Sequence, residues 1–138
     1  MENNSVFIEK LRSSGLRPTK QRIKICQLLF DRKQTFHFTI KNLSKILKKE
    51  TGEKISLATI YNTVYSFKKK GYLKEISVNK NQTYYDTNTS NHHHFLDINT
   101  NELIDLKNED VHNIKIKKKI SGKKINSIEV LVKIENSN

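Results

Sequence analysis

The chain has 138 residues, enough for one ordinary core or two small lobes and too few for a large catalytic architecture. Its formal charge of +12 and pI near 9.8 point to a polyanionic partner, nucleic acid first and an anionic membrane second. A lone cysteine, Cys26, excludes an intrachain disulfide framework and any multi-cysteine zinc site; with no run of 18 apolar residues and no signal-peptide layout, a soluble cytoplasmic protein is expected.

The charge is unevenly placed. Residues 1–90 carry 18 Lys and Arg against 7 Asp and Glu, whereas residues 91–138 carry 8 against 7, so the basic surface belongs to the first part of the chain.

The first 70 residues have helical spacing, beginning with a short helix over 6–11. Ile23, Cys26 and Phe30, then Ile40, Leu43, Ile46 and Leu47, then Leu57, Ile60, Val64 and Phe67 recur at intervals of three and four, each set one buried stripe. Cys26 is read as a small apolar member of its stripe. Thr19, Thr39 and Ser56 stand where N-caps belong, each with an oxygen for an orphan backbone N–H, and Gly71 suits a left-handed C-cap.

The period then changes to two. Residues 73–78 and 83–86 flank the connector Asn79-Lys80-Asn81-Gln82 and read as a hairpin. Helices followed by a hairpin make a winged helix-turn-helix, in which the helix before the hairpin enters the major groove. Residues 87–91, small and polar, are expected to be a hinge.

Beyond the hinge, strands are expected over 92–98 and 103–106, a helix over 109–120 and a strand over 125–134. In that last strand Ile128, Val130, Val132 and Ile134 make one apolar face. A lobe of this size buries too little apolar surface alone, so the face is expected to pack on a second copy, giving a homodimer suited to a two-fold DNA site. The expected class is α+β: a winged-helix DNA-binding domain over 1–86, the hinge, and a small α/β dimerisation and sensing domain over 92–138.

With Leu57, Ile60, Val64 and Phe67 inward, the helix before the hairpin turns Ser56, Thr59, Tyr61, Asn62 and Tyr65 outward. Such side chains touch base edges, thymine methyls and phosphates. Lys68, Lys69 and Lys70 are read as phosphate contacts or as solvated charges, and the tract 17–22 adds Lys20, Gln21 and Arg22.

Three of the five histidines are consecutive, His92, His93 and His94. On a strand the outer two share a face and His93 takes the other, so His92 and His94 can grip one ion. Asp86, Asp97, Glu102 and Asp105 offer oxygen donors nearby. Imidazole and carboxylate without thiolate suit Fe(II), Mn(II) or Zn(II), and haem is a second option because histidine is a common axial ligand.

The segments Gly-Leu-Arg-Pro-Thr-Lys-Gln-Arg at 15–22, His-Phe-Thr at 37–39, Ile-Ser-Leu-Ala-Thr-Ile-Tyr-Asn-Thr-Val-Tyr-Ser-Phe at 55–67 and Tyr-Tyr-Asp-Thr-Asn-Thr-Ser-Asn-His-His-His-Phe at 84–95 together resemble the ferric uptake regulator family. The forms Tyr-Asn-Thr at 61–63 and Asp-Thr-Asn-Thr-Ser-Asn-His-His-His-Phe at 86–95 are most similar to its iron response regulator branch, Irr. The resemblance implies an iron-responsive repressor of iron and haem metabolism genes, with a regulatory metal where the two lobes meet. Carried over by position, the regulatory ligands fall on His37, Asp86, His92, His94 and Asp105. Arg17 falls on a basic position near the minor groove of an A·T-rich two-fold operator.

Departures from the family pattern accompany the match. Asp97 and Thr100 occupy the first cysteine pair of a structural zinc site built from four cysteines, so that zinc is expected to be absent. A second metal site of some relatives would draw on Asn91, His93, His112 and Ile128, leaving His93 and His112 as potential haem ligands. The alternative function, a metal-storage or metal-delivery protein using the His and carboxylate cluster, leaves the basic winged helix without a role. An enzyme is not expected, because nothing in the chain reads as an activated nucleophile.

Overall fold

Three side-chain caps set the helical frame. Thr19, Thr39 and Ser56 each accept the backbone N–H three residues on, from Arg22, Asn42 and Thr59, and so begin the helices α2 (Lys20–Phe30), α3 (Ile40–Thr51) and α4 (Leu57–Lys70). The computed structural model describes residues 4–79 and 81–138; Lys80 of the expected hairpin connector lies outside the described residues. The chain divides into two compact units, one ending at Thr89 and the other starting at Ser90.

The first unit opens with α1 (Asn4–Ser13) and adds α2, the two-residue strand β1 (His37–Phe38), α3 and α4. The strands β2 (Lys74–Asn79) and β3 (Gln82–Asp86) follow and form an antiparallel sheet of order β1-β3-β2. Phe7, Leu11, Ile25, Cys26, Leu29, Leu43, Leu47, Ile60, Val64 and Phe67 pack with Phe38 and Tyr85 of the sheet into one core. Gly71 ends α4 with φ 95, and its N–H reaches the carbonyls of Phe67 and Lys68. That left-handed turn, strained for any residue with a Cβ, sends the chain into the wing.

All three stripes differ from the sequence reading: in α3 Leu43 and Leu47 are buried while Ile40 and Ile46 are half-buried. In α2 the fully buried residues are Ile25, Cys26 and Leu29, while Ile23 and Phe30 are half-buried. In α4, Leu57 is 58% exposed: it is the first helical residue and projects ahead of the Ile60, Val64, Phe67 stripe.

The second unit holds β4 (His93–Asp97), β5 (Leu103–Leu106) and β6 (Leu131–Ile134) in a sheet of order β5-β4-β6. β5 pairs antiparallel with β4 and β6 pairs parallel to it. The helix expected over 109–120 does not form; only a 3-10 turn, Asn108–Asp110, is present. After Asp110 the stretch has no acidic partner for Lys115, Lys117, Lys118 and Lys119, and Lys115 and Lys119 would repel one turn apart. Ile114, Ile116 and Ile120 add β-branched stiffness. The strand expected over 125–134 is also shorter, because β6 can pair only along the five residues of β4.

Candidate metal centre and nucleic-acid interface

In the first unit, the register of β1 on β3 sets His37 opposite Asp86 and Phe38 opposite Tyr85. His37 Nε2 lies 3.0 Å from Asp86 Oδ2, with the carboxylate fully buried. The surrounding backbone is clamped. Phe36 N–H donates to Thr87 Oγ1 at 2.9 Å, Thr87 N–H donates to the Phe36 carbonyl at 3.1 Å, and Asn88 N–H donates to Asp86 Oδ1 at 2.8 Å. Thr39, immediately after β1, caps α3, so both ends of the two-residue strand are fixed.

In the second unit, β4 and β5 place His94 opposite Asp105. The rings of His92 and His94 lie 4.4 Å apart, and Asp105 Oδ1 is 3.2 Å from His92 Nε2 and 3.5 Å from His94 Nε2. His92 Nδ1 lies 2.8 Å from the Ser90 carbonyl, which can only accept, so Nδ1 carries the proton. Nε2 then faces the Asp105 carboxylate oxygen. An imidazole nitrogen and a carboxylate oxygen converging in this way can share a metal ion, and a carbonyl bond on the far nitrogen is the usual support for a metal-ligating imidazole. Imidazole and carboxylate donors in each unit, with the chain's single thiol buried in the helical core, fit a divalent first-row ion.

The exposed face of α4 is aromatic and polar. Tyr61 and Tyr65 are 50% and 42% exposed and stack at 6.1 Å with an interplanar angle of 12°, with Asn62 exposed beside them. Ser56 Oγ accepts the Thr59 N–H and lies 2.8 Å from Thr59 Oγ1, so these hydroxyls also serve the helix start. Lys68 departs from both roles expected of it. It pairs with Glu75 on β2, and that hydrogen bond raises its pKa above the ordinary lysine value. Lys69 and Lys70 are exposed. In the 17–22 tract Arg22 Nη1 donates to the Arg17 carbonyl at 3.0 Å, fixing the turn that displays Arg17; Lys20 is exposed and Gln21 half-buried.

The sequence model of the ferric uptake regulator family matches residues 13–134. The chain belongs to the ferric uptake regulator family. It is therefore a metal-responsive transcriptional regulator, of a family of dimeric DNA binders rather than enzymes. It is 29% identical over 103 residues to the ferric uptake regulation protein of Pseudomonas fluorescens, a match covering 74% of this chain and 82% of that one. It is 32% identical over 99 residues to the peroxide-responsive repressor PerR of Staphylococcus aureus, covering 72% and 65%. Among solved structures, the Pseudomonas aeruginosa ferric uptake regulator with manganese is 22% identical at a TM-score of 0.66, covering 96% of this chain and 99% of that one. The Francisella tularensis regulator with iron is 16% identical at 0.68, covering 88% and 92%. These likenesses establish the fold: a helical unit with a three-stranded wing, followed by a second unit with its own three-stranded sheet.

Within this member of the ferric uptake regulator family, Asp97, which the sequence resemblance set at a cysteine position, serves a turn. Asp97 Oδ1 accepts the N–H groups of Asn99 at 2.9 Å and Thr100 at 3.3 Å, closing the β4–β5 turn with hydrogen bonds. His93 faces away from His92 and His94, and its Nδ1 accepts the Val130 N–H at 3.0 Å. That bond extends the β4–β6 pairing by one rung and leaves Nε2 as its only ring nitrogen for a ligand. His112 is exposed and lies in no helix or strand, while the Asn91 carbonyl accepts from Asn108 Nδ2 at 2.8 Å. No signal in the sequence marked the Val130 bond, which spans 37 residues.

No helix among the described residues is long and apolar enough to cross a membrane.

Proposed function

We propose that the chain is an iron-responsive repressor whose two units close on one divalent ion, held by His37 and Asp86 from the first and His92, His94 and Asp105 from the second. Fe(II) or Mn(II) is the working ion, and Zn(II) substitutes in vitro. The reading is carried by the convergence of His92, His94 and Asp105 in the second unit, where a carbonyl-anchored His92 presents Nε2 to the Asp105 carboxylate. The first unit supplies a matching His and carboxylate pair from its own sheet register.

An ion bridging the units would bias their arrangement and hence the spacing of the two α4 helices in a homodimer. By linkage, an ion that binds more tightly to the DNA-competent arrangement strengthens DNA binding, and DNA strengthens ion binding equally. The operator is an A·T-rich two-fold site, read by α4 and by Arg17. The genes controlled are those of iron and haem metabolism, as in the iron response regulator branch, which the residues at 61–63 and 86–95 resemble. A metal is favoured over haem because His93 has one nitrogen committed to Val130 and His112 sits outside any fixed element.

Isothermal titration with Mn(II) tests the shared site. Wild type is expected to bind a single strong ion per chain, with binding weakened both by His37→Ala and by the His92→Ala, His94→Ala double variant. Unchanged affinity in His37→Ala would confine the site to the second unit and end the bridging role.

A further inference from the structure

The last turn of α4 and the first strand of the wing meet in an ion pair. Gly71 turns the chain back on α4, so β2 runs past the helix end and brings Glu75 alongside Lys68, with which it pairs. The sheet register fixes Glu75 from the other side, opposite Tyr85, whose side chain lies in the core. Lys68 Nζ also lies 5.8 Å from the centroid of the Tyr65 ring, so the pair stands at the edge of the exposed stack of Tyr61 and Tyr65.

Glu75 shares a groove with the residues that α4 and the wing turn outward. The groove, about 850 Å³, runs between the start of α3, α4 and the wing, and Lys41, Tyr61, Asn81, Gln82 and Tyr85 line it beside Glu75. Among its described lining residues Glu75 is the one acid. A carboxylate there opposes a polyanion, in a part of the chain whose 18 Lys and Arg against 7 Asp and Glu over residues 1–90 otherwise attract one.

Two roles compete for the pair. As a brace between helix and wing it adds little, because its side chains are 35% and 31% exposed and ion pairs so accessible to water are weak. As a charge device it has more effect. Each lysine that reaches a phosphate releases counterions, and Lys69 and Lys70 are exposed for that role while Lys68 is held by a carboxylate.

We propose that Glu75 sets the affinity for DNA: it holds Lys68 off the phosphate backbone, so that retention on a duplex depends on what α4 reads. This rests on the DNA-binding reading above and adds to it a residue outside the reading helix. Phosphate contacts position a protein without specifying sequence, so withholding one lowers binding to every duplex alike.

The test follows binding of the full chain, at constant Mn(II), to a fluorescein-labelled, mixed-sequence duplex of about 40 base pairs by anisotropy over a KCl series, since each phosphate neutralised contributes about 0.9 to the slope of log K against log salt. Glu75→Gln keeps the shape and removes the charge. It is expected to steepen the slope by about 0.9 and to raise affinity about fivefold or more near 0.1 M KCl, with Glu75→Thr carrying the test should the glutamine variant not fold. The Lys68→Gln, Glu75→Gln double variant should return to the wild-type slope, because the lysine that Glu75 withholds is then gone. An unchanged slope in a Glu75 variant that keeps its circular dichroism spectrum would overturn the proposal, even if its melting temperature falls, and would leave the pair a brace. So would a double variant about 0.9 shallower than wild type, which would show Lys68 reaching phosphate in spite of Glu75. If wild type binds no duplex, the DNA-binding reading itself fails and this extension with it.

Discussion

His37 and Asp86 are cross-strand partners, joined at 3.0 Å by a strand only two residues long. The pairing gives a buried carboxylate a fixed imidazole neighbour without drawing on any helix. Asp86→Asn keeps the shape of the side chain and removes its charge, so the winged helix should remain folded while Mn(II) affinity drops by at least about tenfold. Calorimetric titration checks this, and wild-type affinity in the variant would remove Asp86 from the ligand set.

His93 does work that its two neighbours do not. Because its Nδ1 accepts the Val130 N–H, His93→Ala should leave that amide without its partner and speed its hydrogen exchange by roughly tenfold, equivalent to about 1.4 kcal/mol of local opening. The metal response of this variant should stay at the wild-type level. A lost response with unchanged Val130 exchange would make His93 a ligand instead of a strand anchor.

On α4, base reading and charge are separable. Tyr61→Ala removes half of an exposed stacked pair, and should lower the preference for a selected operator over random duplex more than Lys69→Ala does. Lys69→Ala should weaken both duplexes alike and reduce the salt slope by about 1. Competition binding against random duplex measures the difference, and equal preference in both variants would displace α4 as the reading helix.

Cys26 is expected to be inert while the chain is folded. It is fully buried, and burial pushes its thiol up to about 12, so iodoacetamide near neutral pH should label it only after denaturation. The sign for stability follows from the same shift. The folded state holds the proton that the unfolded state gives up, so this contribution is complete below the ordinary thiol value of about 9 and is lost as pH rises towards 12. Cys26→Ala should flatten that alkaline decline in urea melts.

The helical frame was legible because its signals are local: Thr19, Thr39 and Ser56 cap where their side chains predict, and Gly71 takes the left-handed turn. The alternation of His93 and His94 was equally local, since β4 fixes it from one residue to the next, with His92 standing just before a strand that begins one residue later than expected. What the sequence hid was set by distant partners. β1 exists because β3 accepts it, Lys68 is taken by Glu75 from the next strand, and β6 stops where β4 ends. The missing helix after Asp110 is a different case, where apolar spacing suggested a helix and the four lysines Lys115, Lys117, Lys118 and Lys119 opposed it.

The most direct measurement is anisotropy of a labelled duplex, selected by the wild-type protein from a random pool, titrated with Mn(II) for wild type and for His92→Ala, His94→Ala. Wild type should change its DNA affinity by about tenfold or more, a coupling of about 1.4 kcal/mol, while the double variant stays dimeric and does not respond. An equal response in the two proteins would contradict a metal switch built on these histidines.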